Sequence, residues 1–218
     1  MRTLMTKSIL LLLFAGLLIG VTSPKVGAAD YFPLQVGNCW VYYPSYGQGY
    51  RIDSIVGTET IGETLTYIWK RTEAPPDNYR EKRWLAKDDV EVKVLQYWDN
   101  EWEPPLPTPV LLDSPWIQDK LSPNVGESWQ YVGDIDATHF EVTCLVESVT
   151  ATVTVPAGKF QNCIKVRQLI KITVSGSTRF EYRRYWLAPD VGPVTYRKYS
   201  KNWATITKNQ QLVGYSLE

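Results

Sequence analysis

The chain has 218 residues, with 23 basic and 23 acidic side chains, 9 Trp, 14 Tyr, 3 Cys and 1 His. Arg2, Lys7 and Lys25 lie in the first 28 residues and no acid does, so the remainder carries 20 basic against 23 acidic residues. That balance lacks the basic excess that non-specific nucleic-acid binding needs, and a remainder of about 190 residues suits one domain.

At the N-terminus, Arg2 and Lys7 precede an apolar run from Ile9 to Gly20, and small residues follow as far as Val26-Gly27-Ala28-Ala29. This is the pattern of a secretory signal, assigned here to residues 1–28. The run falls short of the roughly 20 apolar residues a spanning helix needs. No second run of that length follows. The expected protein is periplasmic or secreted, with no transmembrane segment after signal cleavage.

Beyond Tyr31 the period is two, the signature of strands. Short candidates are Trp40–Tyr43, Tyr50–Thr58, Leu65–Arg71 and Val90–Tyr97. Pro-rich sequence from Glu103 to Pro109 excludes a central strand there. Ser114 as N-cap with Pro115 behind it predicts a short helix over Ser114–Leu121. Further strands are expected at Trp129–Val132, His139–Val149, Thr152–Val155, Phe160–Val174, Arg179–Trp186, Val194–Tyr199 and Ala204–Lys208. Phe160–Val174 is the clearest: Ile164, Val166, Ile170, Ile172 and Val174 share one face, and Lys165, Arg167 and Lys171 the other. In Arg179–Trp186, Phe180, Tyr182 and Trp186 fall together.

Two motifs recur in the same order. V-G-x-x-W-x-Y stands at Val36–Tyr42 and at Val125–Tyr131, and W-L-A-x-D at Trp84–Asp88 and at Trp186–Asp190. The predicted fold is all-β: an antiparallel curved sheet or half-barrel built from two similar meanders, with little helix. The first meander is assigned to 29–103, a Pro-rich linker with the short helix to 104–122, and the second meander to 123–218, in one shared domain.

Three cysteines in an oxidising compartment suggest one disulfide and one odd thiol. Cys144 and Cys163 lie on sequence-adjacent strands around the turn at Val155–Gly158 and are the expected pair. Cys163 falls in phase with Lys165 and Arg167, so the pairing requires a bulge at the start of its strand.

Catalytic signatures are sparse. His139-Phe140-Glu141 has the H-x-E spacing of zinc deaminases but no Cys pair to complete the metal site. No G-x-S-x-G elbow and no glycine-rich phosphate loop occurs. Asp134-Ile135-Asp136 lacks the further oxygen ligands of a calcium loop. No cofactor and no metal is called for. Arg179–Lys208 holds seven basic residues and two acids, interleaved with aromatics. Such a mix can hold an anionic lipid or glycan, or it can simply form the cationic outer face of amphipathic strands.

Three segments, Tyr31–Tyr42, Val153–Val166 and Tyr185–Val194, resemble a group of exported bacterial proteins of unknown function. The resemblance implies an antiparallel curved sheet, distantly similar to the half-barrels of periplasmic lipoprotein carriers. It establishes no catalytic residues. Relatives commonly carry a small hydroxylated residue where this chain has Cys39, which implies that Cys39 is the unpaired thiol. The functional expectation is a non-catalytic binding protein whose sheet holds an apolar or amphiphilic ligand, a lipid or lipoprotein. Trp84, Trp129, Phe180, Tyr182, Tyr185 and Trp186 are the expected wall. Two alternatives are a structural or protein-interaction module of the cell envelope, with an envelope protein as partner, and an envelope-polymer hydrolase.

Overall fold

Alternation of apolar and polar residues over long stretches yields strands with one face for a core and one for water. The computed structural model describes residues 29–44, 49–73, 80–100, 106 and 108–218. The predicted signal segment, Glu103 at the end of the predicted first meander, and Pro104, Pro105 and Pro107 of the predicted linker lie outside them. The described strands are β1 (Cys39–Pro44), β2 (Arg51–Ile61), β3 (Thr64–Glu73), β4 (Arg80–Lys87), β5 (Glu91–Asp99), β6 (Val110–Lys120), β7 (Ser128–Ile135), β8 (Thr138–Val155), β9 (Gly158–Val174), β10 (Ser177–Ala188), β11 (Gly192–Tyr199) and β12 (Ile206–Ser216). A single 3-10 turn, Lys201–Trp203, interrupts them.

All twelve strands form one antiparallel sheet in the order β6-β5-β4-β3-β2-β1-β12-β11-β10-β9-β8-β7. Each half of the chain is a six-stranded meander, and β1 pairs with β12 to join them. The expected curved sheet is thus confirmed, and it bends far enough for its two edges to approach as a nearly closed barrel. Side chains bridge β6 and β7: Trp129 Nε1 donates to Ile117 O at 3.0 Å, Lys120 pairs with Glu127 at 2.5 Å, and the Trp116 and Tyr131 rings stack at 5.5 Å.

One end of the barrel is filled. Phe32 lies 5.2 Å from Trp69, which stacks on Trp40 at 5.0 Å. Asp30 anchors this N-terminal segment through Lys87 Nζ and through paired contacts with Asp190. The tip of the β8–β9 hairpin joins it, Ala157 N donating to Leu212 O at 3.0 Å. The buried aromatic and aliphatic side chains here belong to one hydrophobic core that continues along the barrel wall to Val142, Ile170 and Ile172.

The structure corrects two sequence expectations. Ser114–Leu121 is not a helix; most of it belongs to β6. Residues 112–115 bulge between the Val94–Trp116 and Gln96–Leu111 pairs, opposite Leu95 alone. Pro115 therefore sits in a bulge of an edge strand, where its missing N–H breaks no ladder. Pairing with β5 overrides the local capping signal. Cys144 and Cys163 form no disulfide either. The bulge required at the start of β9 does exist, with Asn162 at φ 54°, and it buries Cys163. The register, however, sets Cys144 against Gln168, five residues from Cys163. At about 3.3 Å per residue the two lie roughly 16 Å apart along the sheet, far beyond disulfide reach. All three cysteines are free.

Candidate functional site

The barrel encloses a cavity of about 1080 Å³, the size of a small-molecule site. Phe32, Trp69, Leu85 and Leu187 line its closed end, and Asn100, Asp136, Ser175 and Thr178 come from strand ends and turns around its mouth.

Its walls are divided. On the side of β7–β9, inward positions are Ile135, Phe140, Ile170, Ile172 and Val174. Across the lumen, β2–β4 and β10–β12 contribute charge. Arg51 is bound by Asp53, through Nε at 2.9 Å and through a second ion-paired contact, and donates to Gln210 Oε1 at 2.7 Å. Arg71 bridges Asp53 at 3.2 Å and Glu81 at 2.8 Å. Glu81 also holds Arg83, which bonds Gln118. Further round, Glu181 pairs with Arg183 and, at 3.2 Å, with Lys198, and Glu73 pairs with Lys208 at 3.2 Å. Buried charges survive only when paired in this manner.

The electrostatics follow from the pairing. Burial pushes the carboxyls of Asp53, Glu73 and Glu181 up, but their cationic partners outweigh it. Glu181 is pulled down to about 2 by Arg183 and Lys198. Asp119 behaves oppositely. Burial raises it to about 7, only partly offset by hydrogen bonds from Tyr185 and Gln118 and by the charge of Arg83. Tyr185 Oη donates to Asp119 Oδ1 at 2.7 Å, tying β10 to β6. Burial also raises Cys144 to about 12 and Cys163 to about 11, so both thiols are protonated at neutral pH.

Of the six aromatics expected to form the wall, only Tyr185 lines the cavity. Trp129 is buried by the β6–β7 seam. Trp84 faces away from the lumen and donates to Glu59 Oε2 at 2.6 Å. Phe180, Tyr182 and Trp186 share the face predicted for them, but it is the convex one. Phe180 is 51% exposed, Tyr182 packs edge-on to Trp203, and Trp186 lies beneath Lys165 and Arg197. The lumen face of β10 is instead Glu181, Arg183, Tyr185 and Leu187. The missed residues had a readable signal: R-x-D at Arg51 and Asp53, and E-x-R at Glu81 and Arg83 and again at Glu181 and Arg183. An opposite-charge pair two apart on a strand occupies a single face.

His139 lies at the start of β8, on the convex face, and contacts Asp134 Oδ1 at 2.6 Å. Among the described residues no three His, Cys, Asp or Glu side chains converge as a metal site.

Residues 143–215 match the family model described as DUF3108-like. No curated protein sequence matches the chain. Two solved structures are similar. One, described as a candidate exported protein with a YmcC-like fold from Bacteroides fragilis, is 15% identical, with a TM-score of 0.49 over 87% of this chain and 100% of that one. The other, described as a candidate lipoprotein from Parabacteroides distasonis, is 16% identical, with a TM-score of 0.48 over 87% of this chain and 99% of that one.

Proposed function

We propose that this is an exported, non-catalytic binding protein that holds one amphiphilic molecule in its barrel lumen. The exported location is read from the N-terminal segment. The observation that carries the reading is the divided cavity: about 1080 Å³, with an aliphatic wall facing an ion-paired one. A lipid or lipoprotein acyl chain suits Ile135, Ile170 and Ile172, and a polar headgroup suits the arginines and glutamates opposite. The ion-paired wall keeps polar groups at the lumen surface, which suits a ligand that carries polarity of its own. The lumen carboxylates Glu81 and Glu181 are neutralised by arginines, and both buried thiols are protonated, which favours binding over catalysis.

The test is native mass spectrometry of the chain from Ala29, purified from a periplasm, with identification of what co-purifies. A near-stoichiometric amphiphile is expected, and Ile170→Trp, which fills the aliphatic wall, should displace it. An empty wild-type protein that also binds no added lipid would sink the proposal.

A second reading, an envelope-polymer hydrolase, draws on Asp119 alone. A carboxylic acid that keeps its proton up to about pH 7 is suited to general-acid work. If Asp119→Asn left ligand occupancy intact but abolished cleavage of an envelope glycan, the hydrolase reading would take precedence.

A further inference from the structure

The convex face of β9–β11 carries an arrangement that the lumen does not use. Arg184 is the direct register partner of Arg167 on one side and of Arg197 on the other. Three arginines thus stand abreast on three adjacent strands and on one face. Like charges directly opposite destabilise a sheet unless carboxylates offset them, as Glu181 and Glu73 offset the lumen-side row of Arg183, Lys198 and Lys208.

The neighbours offset little of that charge. Glu147 accepts from Arg184 at 2.9 Å, pairs with Lys165 at 2.9 Å and lies 3.9 Å from Arg167. Arg197 forms no ion pair among the described residues, and its Nε is buried with no acceptor. Its guanidinium rests 4.9 Å from the Trp186 ring centroid. With Arg197 included, four cations are set against one carboxylate.

The remaining restraint is aromatic. The Trp203 ring lies 4.8 Å from the Arg184 guanidinium and 5.7 Å from that of Arg167, and Tyr199 lies 5.0 Å from Arg184. Trp203 reaches this place with φ at 63°, directly after Asn202 at 60°. A bulky side chain in the left-handed region is strained, and such strain persists where the surroundings enforce it. Here it brings an indole onto two guanidiniums and holds them in fixed orientation.

We propose that this row is a binding site for a phosphate group, separate from the lumen. Guanidinium forks match phosphate oxygens bidentately, and rings beneath them reduce the freedom lost on binding. The net excess of positive charge around Glu147 supplies the attraction. The phosphate can belong to a lipid headgroup or be free, and the same residues serve either source.

The experiment uses the chain from Ala29 in two arms: calorimetric titration with inorganic phosphate, and co-sedimentation with phosphatidylglycerol vesicles against phosphatidylcholine vesicles. Salt-sensitive binding is expected in at least one arm. Saturation by inorganic phosphate assigns a free phosphate group, and binding to phosphatidylglycerol vesicles alone assigns a lipid headgroup. Arg167→Gln and Arg197→Gln should each weaken binding about tenfold, the loss of one charge-assisted contact. Lys70→Gln, which removes a charge from the convex face of β3, should leave binding unchanged. Circular dichroism of each variant confirms the fold. The proposal is overturned if the wild type binds in neither arm, or if Arg197→Gln binds as the wild type does. Both arms are repeated with Ile170→Trp, which fills the lumen wall, so that binding which survives it belongs to the arginine row and not to the lumen.

Discussion

In both halves the strand that opens the meander is entered through a glycine of positive φ, Gly37 at 102° and Gly126 at 86°. The backbone contacts correspond one by one. Gly37 N donates to Ile55 O and Ile55 N to Asn38 O; Gly126 N donates to Val146 O and Val146 N to Glu127 O. Each motif tryptophan then reaches the other half, Trp40 Nε1 to Val191 O at 2.7 Å and Trp129 Nε1 to Ile117 O at 3.0 Å. The two seams differ all the same. β1 meets β12 in a ladder, whereas no ladder pair joins β7 to β6 among the described residues. The cause lies in the closing strands. β12 contains no proline, while β6 contains Pro115 and bulges over residues 112–115. The same entrance thus yields a hydrogen-bonded seam beside a proline-free strand with a one-residue bulge at Val213, and a side-chain seam beside the four-residue bulge of β6.

Substitution of the two motif tryptophans tests this difference most strongly. Trp40→Ala should cost about 3–5 kcal/mol in urea unfolding, because the fully buried ring leaves a cavity that a laddered seam cannot close. Trp129→Ala should cost less, about 2–3 kcal/mol, because the unladdered seam can settle inward. Equal costs would mean that the two seams are equally rigid.

The second test is pH. Asp119, in β6 beside the open seam, has its folded value raised above the unfolded one, so the folded chain binds the extra proton. Stability should therefore fall as pH rises from about 4 to about 7 and level off above that. Asp119→Asn should remove this slope and gain up to about 4 kcal/mol at pH 8. Glu181 has the opposite sign. Its contribution is present above the unfolded carboxylate range and is lost as pH falls from about 4.5 towards about 2. Denaturation curves from pH 3 to pH 8 separate the two, and an unchanged slope in Asp119→Asn would exclude Asp119 as the source.

A smaller effect is expected at the twin glycines. Gly37→Ala and Gly126→Ala should each cost about 1 kcal/mol from positive φ alone. Gly37→Ala should cost more, since its Cβ would meet the Glu218 side chain at 2.8 Å while nothing lies within 4 Å at Gly126. The smallest effect should come from a reductant. With all three cysteines free, reduction should leave Tm unchanged, and alkylation after unfolding should label three thiols.

Much of the fold was legible. Alternation in β9 assigned Ile164, Val166, Ile170, Ile172 and Val174 to one face, and all but Val174, at the strand end, are buried. β6 was not legible, because Ser114-Pro115 is a sound helix start in isolation and only the edge of β5 makes it a strand. The cysteine pairing failed because adjacency in sequence takes no account of the bulges that reset the β8–β9 register. The site was half legible. The charge pairs two residues apart were present in the sequence, but the aromatic face of β10 had an equal claim to the interior.

The sequence by itself determined that the chain would form strands, where glycines would turn it, and which residues would share a face. It did so because a strand's side chains alternate with a period of two whatever surrounds it. Which of two amphipathic faces became concave, and whether the sheet closed, were decided only by the tertiary structure. Phe180, Tyr182 and Trp186 lie on one face of β10, and Glu181, Arg183 and Tyr185 on the other. Curvature gives the inside to the face on which Glu181 pairs with Arg183 and Lys198 and Tyr185 reaches Asp119 of β6, and leaves the aromatic face outside, where Trp186 packs beneath Arg197.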